Sequence, residues 1–135
     1  MLHGFALQAF ERLGNLADPA ALGVKPGAGM IAIYYDDPES TPQDKLRSDA
    51  AIVVPDHVPL PKGLVEQQIA GGRYAVATHV GPYEQLGDVW ARFMGEWLPA
   101  TGHRVREGAS FEMYKNTPMT APREQLQTDL YIPIE

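Results

Sequence analysis

Ser110-Phe111-Glu112-Met113-Tyr114-Lys115-Asn116 alternates residue by residue, with Phe111 and Met113 to one side and Glu112 and Tyr114 to the other. That is the period of a strand with two different faces. Strand propensity disfavours Glu at such a position, so a carboxylate set mid-strand beside a phenol is a functional lead. A second strand follows at Asp129-Leu130-Tyr131-Ile132-Pro133-Ile134.

Upstream, Gly81-Pro82-Tyr83 opens a helix, with proline suited to the first turn. Leu86, Trp90, Phe93 and Trp97 form its apolar stripe, and Pro99 marks its end. Gly87 and Gly95 inside it cost about 1 kcal/mol each relative to Ala, which predicts a close backbone approach. Before this helix, Leu64 to Ile69 and Arg73 to His79 alternate around Gly71-Gly72, as a hairpin or as one long strand with a glycine bulge.

The first half reads in the same order. Ala6, Phe10, Leu13 and Ala17 make a helical stripe that Asp18-Pro19 stops. Met30 to Tyr35 is a strand by its β-branched and aromatic content. Gln43 to Leu46 is a helical turn, and Asp49 to Val54 a second strand closed by Pro55. Asp56 to Gly63, rich in proline, is a connector.

Sliding the sequence by 80 positions superimposes these halves without a gap. Pro38, Pro42, Leu46 and Asp49 fall on Pro118, Pro122, Leu126 and Asp129, and the two helical stripes coincide. The expected fold is therefore α+β, with duplicated β-α-β-β units related by pseudo-two-fold symmetry and an antiparallel sheet backed by two helices. It would be a single domain of residues 1–135, with a first repeat over 1–55, a connector at 56–63 and a second repeat over 64–135. The leading strand of the first repeat is absent, and a homodimer covering that edge is one answer to it. A cleft is expected where the repeats meet.

Composition narrows the function. The chain has 135 residues, 44% hydrophobic, no cysteine and a net charge of -6. Disulfides, thiol nucleophiles and thiolate metal sites are excluded. With no basic cluster, the footprint of a direct nucleic-acid binder is missing. No run approaches the roughly 20 apolar residues of a membrane span, so a cytoplasmic protein without membrane association is expected.

Across the repeat, Glu112 falls on Ala32 whereas Tyr114 falls on Tyr34. A strand that accepts Ala at this place does not need the acid for folding. In a cleft with Tyr34, Tyr114 and the helix aromatics Trp90 and Phe93, Glu112 would attract an organic cation through its charge, while the rings supply cation-π contact. The plainer alternative is an edge-strand Glu facing water or paired with Arg. Trp90, Phe93 and Trp97, a stripe at helical spacing, read as core before cavity lining, and a Trp can serve as both. His3, His57, His79 and His103 lack partners at ligand spacing, so no metal and no cofactor is expected. Asp49 and Asp129 read as turn or capping acids.

Gly72-Arg73-Tyr74-Ala75-Val76, His79-Val80-Gly81-Pro82-Tyr83, Trp90, Glu96-Trp97-Leu98-Pro99, Gly102, Phe111 to Asn116 with Pro118, and Thr128 to Ile134 together resemble the GyrI-like small-molecule-binding family. The same module is the effector-binding domain of AraC-type and BmrR-type multidrug regulators. The resemblance runs from Phe5 to Ile134 and is more specific in the C-terminal half. It implies a duplicated β-α-β-β fold whose central cleft holds amphipathic, often cationic ligands against an acid at the place of Glu112. With no DNA-binding region, the chain resembles a stand-alone member.

Three functions follow as expectations. The first is sensing or sequestration of an amphipathic cationic ligand by Glu112, Tyr114, Tyr34, Trp90 and Phe93. The second is hydrolysis of reactive electrophiles such as cyclopropanoids, with Glu112 and Tyr114 as the catalytic residues. The third is an interaction with DNA gyrase as an inhibitor. Stand-alone relatives include both hydrolases and gyrase inhibitors, so the resemblance leaves the three open.

Overall fold

The computed structural model describes residues 30–36, 40–53, 62–65, 68–118 and 120–135. The helix expected over residues 5–17 and nearly all of the connector lie outside the described residues. Five strands are seen: β1 (Met30–Tyr34), β2 (Ser48–Ile52), β3 (Tyr74–Val80), β4 (Ser110–Tyr114) and β5 (Gln127–Pro133). They form one antiparallel sheet in the order β2-β1-β4-β5-β3. One helical rod lies between β3 and β4 in the chain. It consists of α1 (Leu86–Arg92), a π-helical turn (Phe93–Trp97) and α2 (Leu98–Thr101), capped by Gly102 at φ 76. A left-handed cap of that kind favours glycine because it lacks a Cβ. The fold is α+β.

The 80-residue offset reappears in the ladders. Ile31 pairs with Ala51 in β1–β2, and Phe111 with Tyr131 in β4–β5. The central pairing of β1 with β4 sets Ala32 directly opposite Glu112. Short 3-10 turns at Gln43–Lys45 and Arg123–Gln125 keep the same offset.

The helix packs on one face of the sheet. Leu86, Phe93 and Leu98 meet Ala75, Leu130, Ile132 and Ile134 in a buried cluster, and each large apolar side chain so buried contributes about 1.5–3 kcal/mol. The opposite face carries Ile31, Ile33 and Phe111, with Phe111 stacked on Tyr131 at 4.4 Å and 9°. The alternation read from residues 110–116 thus divides two apolar faces, and Glu112 lies on the helix side.

Four local expectations are corrected. Residues 64–65 and 68–70 are not strand; β3 begins only at Tyr74. Side chains take the backbone carbonyls there: Tyr74 Oη donates to Ala70 O at 2.6 Å, and Arg106 Nη2 to Gly71 O at 3.1 Å. Trp97 leaves the apolar stripe and is 48% exposed. The i→i+5 bonding of the π turn adds a residue to the turn, so Leu98, five after Phe93, takes the buried place. Gly95 makes no close approach, since a Cβ there would meet open space; it lies in that turn. Asp49 and Asp129 are not caps but lie within β2 and β5. Asp49 accepts from Tyr35 Oη at 2.5 Å. Asp129 accepts from Thr78 Oγ1 at 2.6 Å, with Lys115 Nζ 3.7 Å away.

Candidate functional site

Glu112 is on β4, the middle strand of five, and is fully buried. The edge-strand alternative is therefore excluded. Trp90 Nε1, from α1, donates to Oε1 at 2.7 Å, and Tyr114 Oη donates to Oε2 at 2.7 Å. Hydrogen bonds to an ionised acceptor are stronger than neutral ones.

Rings surround this acid. Tyr34 meets Trp90 edge-on at 6.2 Å and 88°, and Tyr83 meets Tyr114 edge-on at 5.5 Å and 65°. Tyr34 and Tyr114 are buried together with Ala32, against Met30, Tyr83 and Trp90. Burial, and then the charge of Glu112, push the Tyr114 and Tyr34 phenols far above their ordinary range. Tyr83 is pushed up by the same two causes in the same order. All three stay protonated across the biological range and keep their donors.

Two further hydroxyls lie beside this group. Tyr34 Oη and Thr128 Oγ1 are buried, and among the described residues neither has a hydrogen bond of standard geometry. Glu112 nevertheless acts on the Tyr34 phenol through its charge, and both Glu112 and Tyr114 act on it through side-chain hydrogen bonding. Thr128 is directly opposite Tyr114 in the β4–β5 ladder. Unpartnered buried hydroxyls are unfavourable unless something else bonds them.

Register sets the neighbours of the acid along the sheet. Ala50, Ala32, Glu112, Leu130 and Ala77 form one row across the sheet. On the β1 side the carboxylate is followed by two methyl groups; on the β5 side Leu130 joins the core under the helix.

Glu112, Tyr114, Tyr34 and Trp90 are thus brought together. Phe93 stands one ring further out, stacked on Trp90 at 6.3 Å and 27°, and belongs to the core beneath the helix. Tyr83 and Thr128 were not singled out from the sequence. Tyr83 precedes Leu86 by three, so the stripe Tyr83-Leu86-Trp90-Phe93 already held the signal. Thr128 had none. Among the described residues no group of three His, Asp or Glu is arranged to hold a metal, and no helix is long and apolar enough to cross a membrane.

A buried acid between sheet and helix, bonded by an indole and a phenol, stands at the centre of this α+β fold. The chain belongs to the GyrI-like family: the GyrI-like small molecule binding domain matches residues 6–135. It is 34% identical over 112 residues to a DNA gyrase inhibitor of Escherichia coli K12, covering 81% of this chain and 69% of the relative. It is 31% identical over 105 residues to the probable transcriptional regulator YgiV of the same organism, covering 77% and 66%. The chain spans about two thirds of the length of these relatives. Two solved structures share the fold. An uncharacterized conserved protein from Listeria innocua has a TM-score of 0.63 at 15% identity, covering 97% of this chain and 76% of that one. A hydrolase from Listeria innocua has a TM-score of 0.57 at 17% identity, covering 97% and 75%.

Proposed function

We propose that the chain senses or sequesters amphipathic, cationic organic molecules, which bind against Glu112 in the cleft. The observation that carries this reading is a fully buried carboxylate that accepts hydrogen bonds from an indole and a phenol and is ringed by aromatic side chains. A carboxylate and a cation 4 Å apart attract by about 4 kcal/mol at an effective dielectric of 20. Aromatic faces add about 0.5–2 kcal/mol of cation-π attraction. The ligand's apolar part would lie over Ala32 and Ala50, and Tyr34 Oη would bond a polar atom on it. Glu112→Gln keeps shape and one acceptor oxygen for Trp90 Nε1, turns an NH2 donor toward the Tyr114 hydroxyl, and removes charge. Calorimetry should show affinity for an aromatic quaternary ammonium falling about a hundredfold, with little change for its neutral carbon isostere. Equal losses for both would sink the reading.

A second reading follows from the DNA gyrase inhibitor of Escherichia coli at 34% identity: the chain acts on gyrase. A supercoiling assay with purified gyrase tests it, and full supercoiling in the presence of a large excess of the protein would remove it.

A further inference from the structure

The sheet has two unlike edges. β2 is five residues long and carries Asp49. β3 is seven residues, Tyr-Ala-Val-Ala-Thr-His-Val, with neither Lys, Arg, Asp, Glu nor Pro. Among the described residues no strand pairs with its outer side. Proteins usually blunt such edges with charge, proline or a bulge, because an uncharged row of free N–H and C=O groups pairs with another chain. Here the edge is also apolar, with Val76 and Val80 exposed.

An open groove runs between β3 and the helical rod. Ala77, Val89, Phe93 and Trp97 line it, and Arg92 and Glu96 supply one charge of each sign. These two are four residues apart, yet among the described residues neither forms an ion pair. The π turn between them alters the spacing that would make i,i+4 neighbours meet. The groove therefore offers an apolar strip with unneutralised opposite charges on either side of Met94, in a molecule whose Trp97 is half exposed.

We propose that this edge and groove are the interface between two copies of the chain, related by a two-fold axis perpendicular to the sheet near Ala77 and Thr78. Two β3 strands pair antiparallel across the axis, joining two sheets into one. Both helical rods then lie on the same face, side by side and antiparallel. Arg92 of one copy meets Glu96 of the partner copy, and the reverse contact repeats it. Such an isologous contact needs a self-complementary surface, and the Arg92/Glu96 pair supplies one. The Trp97 rings, expelled from the core by the π turn, fill the groove between the rods. This contact uses the edge opposite to β2.

Sedimentation equilibrium and light scattering on the full chain test the proposal. The wild-type protein should be a reversible dimer. Arg92→Glu and Glu96→Arg should each weaken dimerisation at least tenfold by placing like charges together twice across the axis. The double exchange R92E/E96R should recover wild-type affinity within a few-fold. All of these changes are at exposed positions and leave Glu112 and its partners untouched. A protein still monomeric at about 1 mM overturns the proposal. So does a dimer indifferent to both single changes, or a double exchange no tighter than either single one.

Discussion

The hairpin β1–β2 and the hairpin β4–β5 share a register offset of 80 residues, yet they differ in what each places on the helix face. In the first, Ala32 and Ala50 form a neutral, small-residue floor. In the second, Glu112 and Leu130 occupy the corresponding places. On the other face the correspondence is closer. Asp49 accepts from Tyr35, Asp129 has Lys115 beside it, and both donor positions lie one residue beyond the preceding strand. What the backbone needs is kept in both halves, and what a ligand would need is found in one. The equivalent strand is built with Ala in that place, so the strand itself does not demand the acid.

Removing that asymmetry should have the largest effect. Glu112→Ala makes the two strands alike, abolishes the charge and leaves Trp90 Nε1 and Tyr114 Oη without their acceptor. Affinity for an aromatic quaternary ammonium, read by calorimetry, should fall by two to three orders of magnitude, in keeping with about 4 kcal/mol of Coulomb attraction. The opposite change, Ala32→Glu, places a second carboxylate directly across the ladder from the first, about 5 Å away between Cβ atoms. Repulsion raises the proton affinity of the pair in the folded state. Stability is then retained below the ordinary Glu value of about 4.3 and lost as pH rises through the raised one. Thermal unfolding should show a melting temperature several degrees below wild type at pH 7 and a smaller gap at pH 4.

Most of the strand layout was legible because period-two alternation survives in β1, β4 and β5, where one face meets the helix and the other an apolar cluster. Glu112 was legible for a different reason: it breaks strand propensity, and Ala32 shows the break to be optional. The geometry of the helix was not. A π turn keeps an ordinary helical sequence, so Trp97 read as core and Leu98 did not. Residues 64–65 and 68–70 read as strand because the side-chain bonds that take the Ala70 and Gly71 carbonyls, from Tyr74 and Arg106, have no local pattern. Tyr83 sits beside a proline that marks helix initiation, which hides its place at the head of the aromatic stripe.

Two smaller tests sharpen the contrast. Trp90→Phe keeps a ring against Tyr34 but removes the indole donor to Glu112. A hydrogen bond to a charged group is worth about 1.5–3 kcal/mol, so chemical denaturation should show a loss toward the lower end of that range, relieved in part by burial of one fewer polar group. Tyr35→Phe removes only the bond to Asp49 at the surface and should cost less than about 1 kcal/mol. Burial first, and then the bond to Asp49, push the Tyr35 phenol up to about 12. Its folded value is raised, so its contribution is fully present below about 10 and lost as pH rises through 12. Ultraviolet titration should lose one late-ionising tyrosine in this variant.

The hydrogen bond from Trp90 to Glu112 also makes the molecule its own optical reporter. Only two tryptophans are present, and they have opposite surroundings: Trp97 half in solvent, Trp90 bonded to the buried acid. In a Trp97→Phe background, all indole emission comes from the ring that touches Glu112. A ligand bound against Glu112 as proposed would change the colour and intensity of that emission, without a label and in real time.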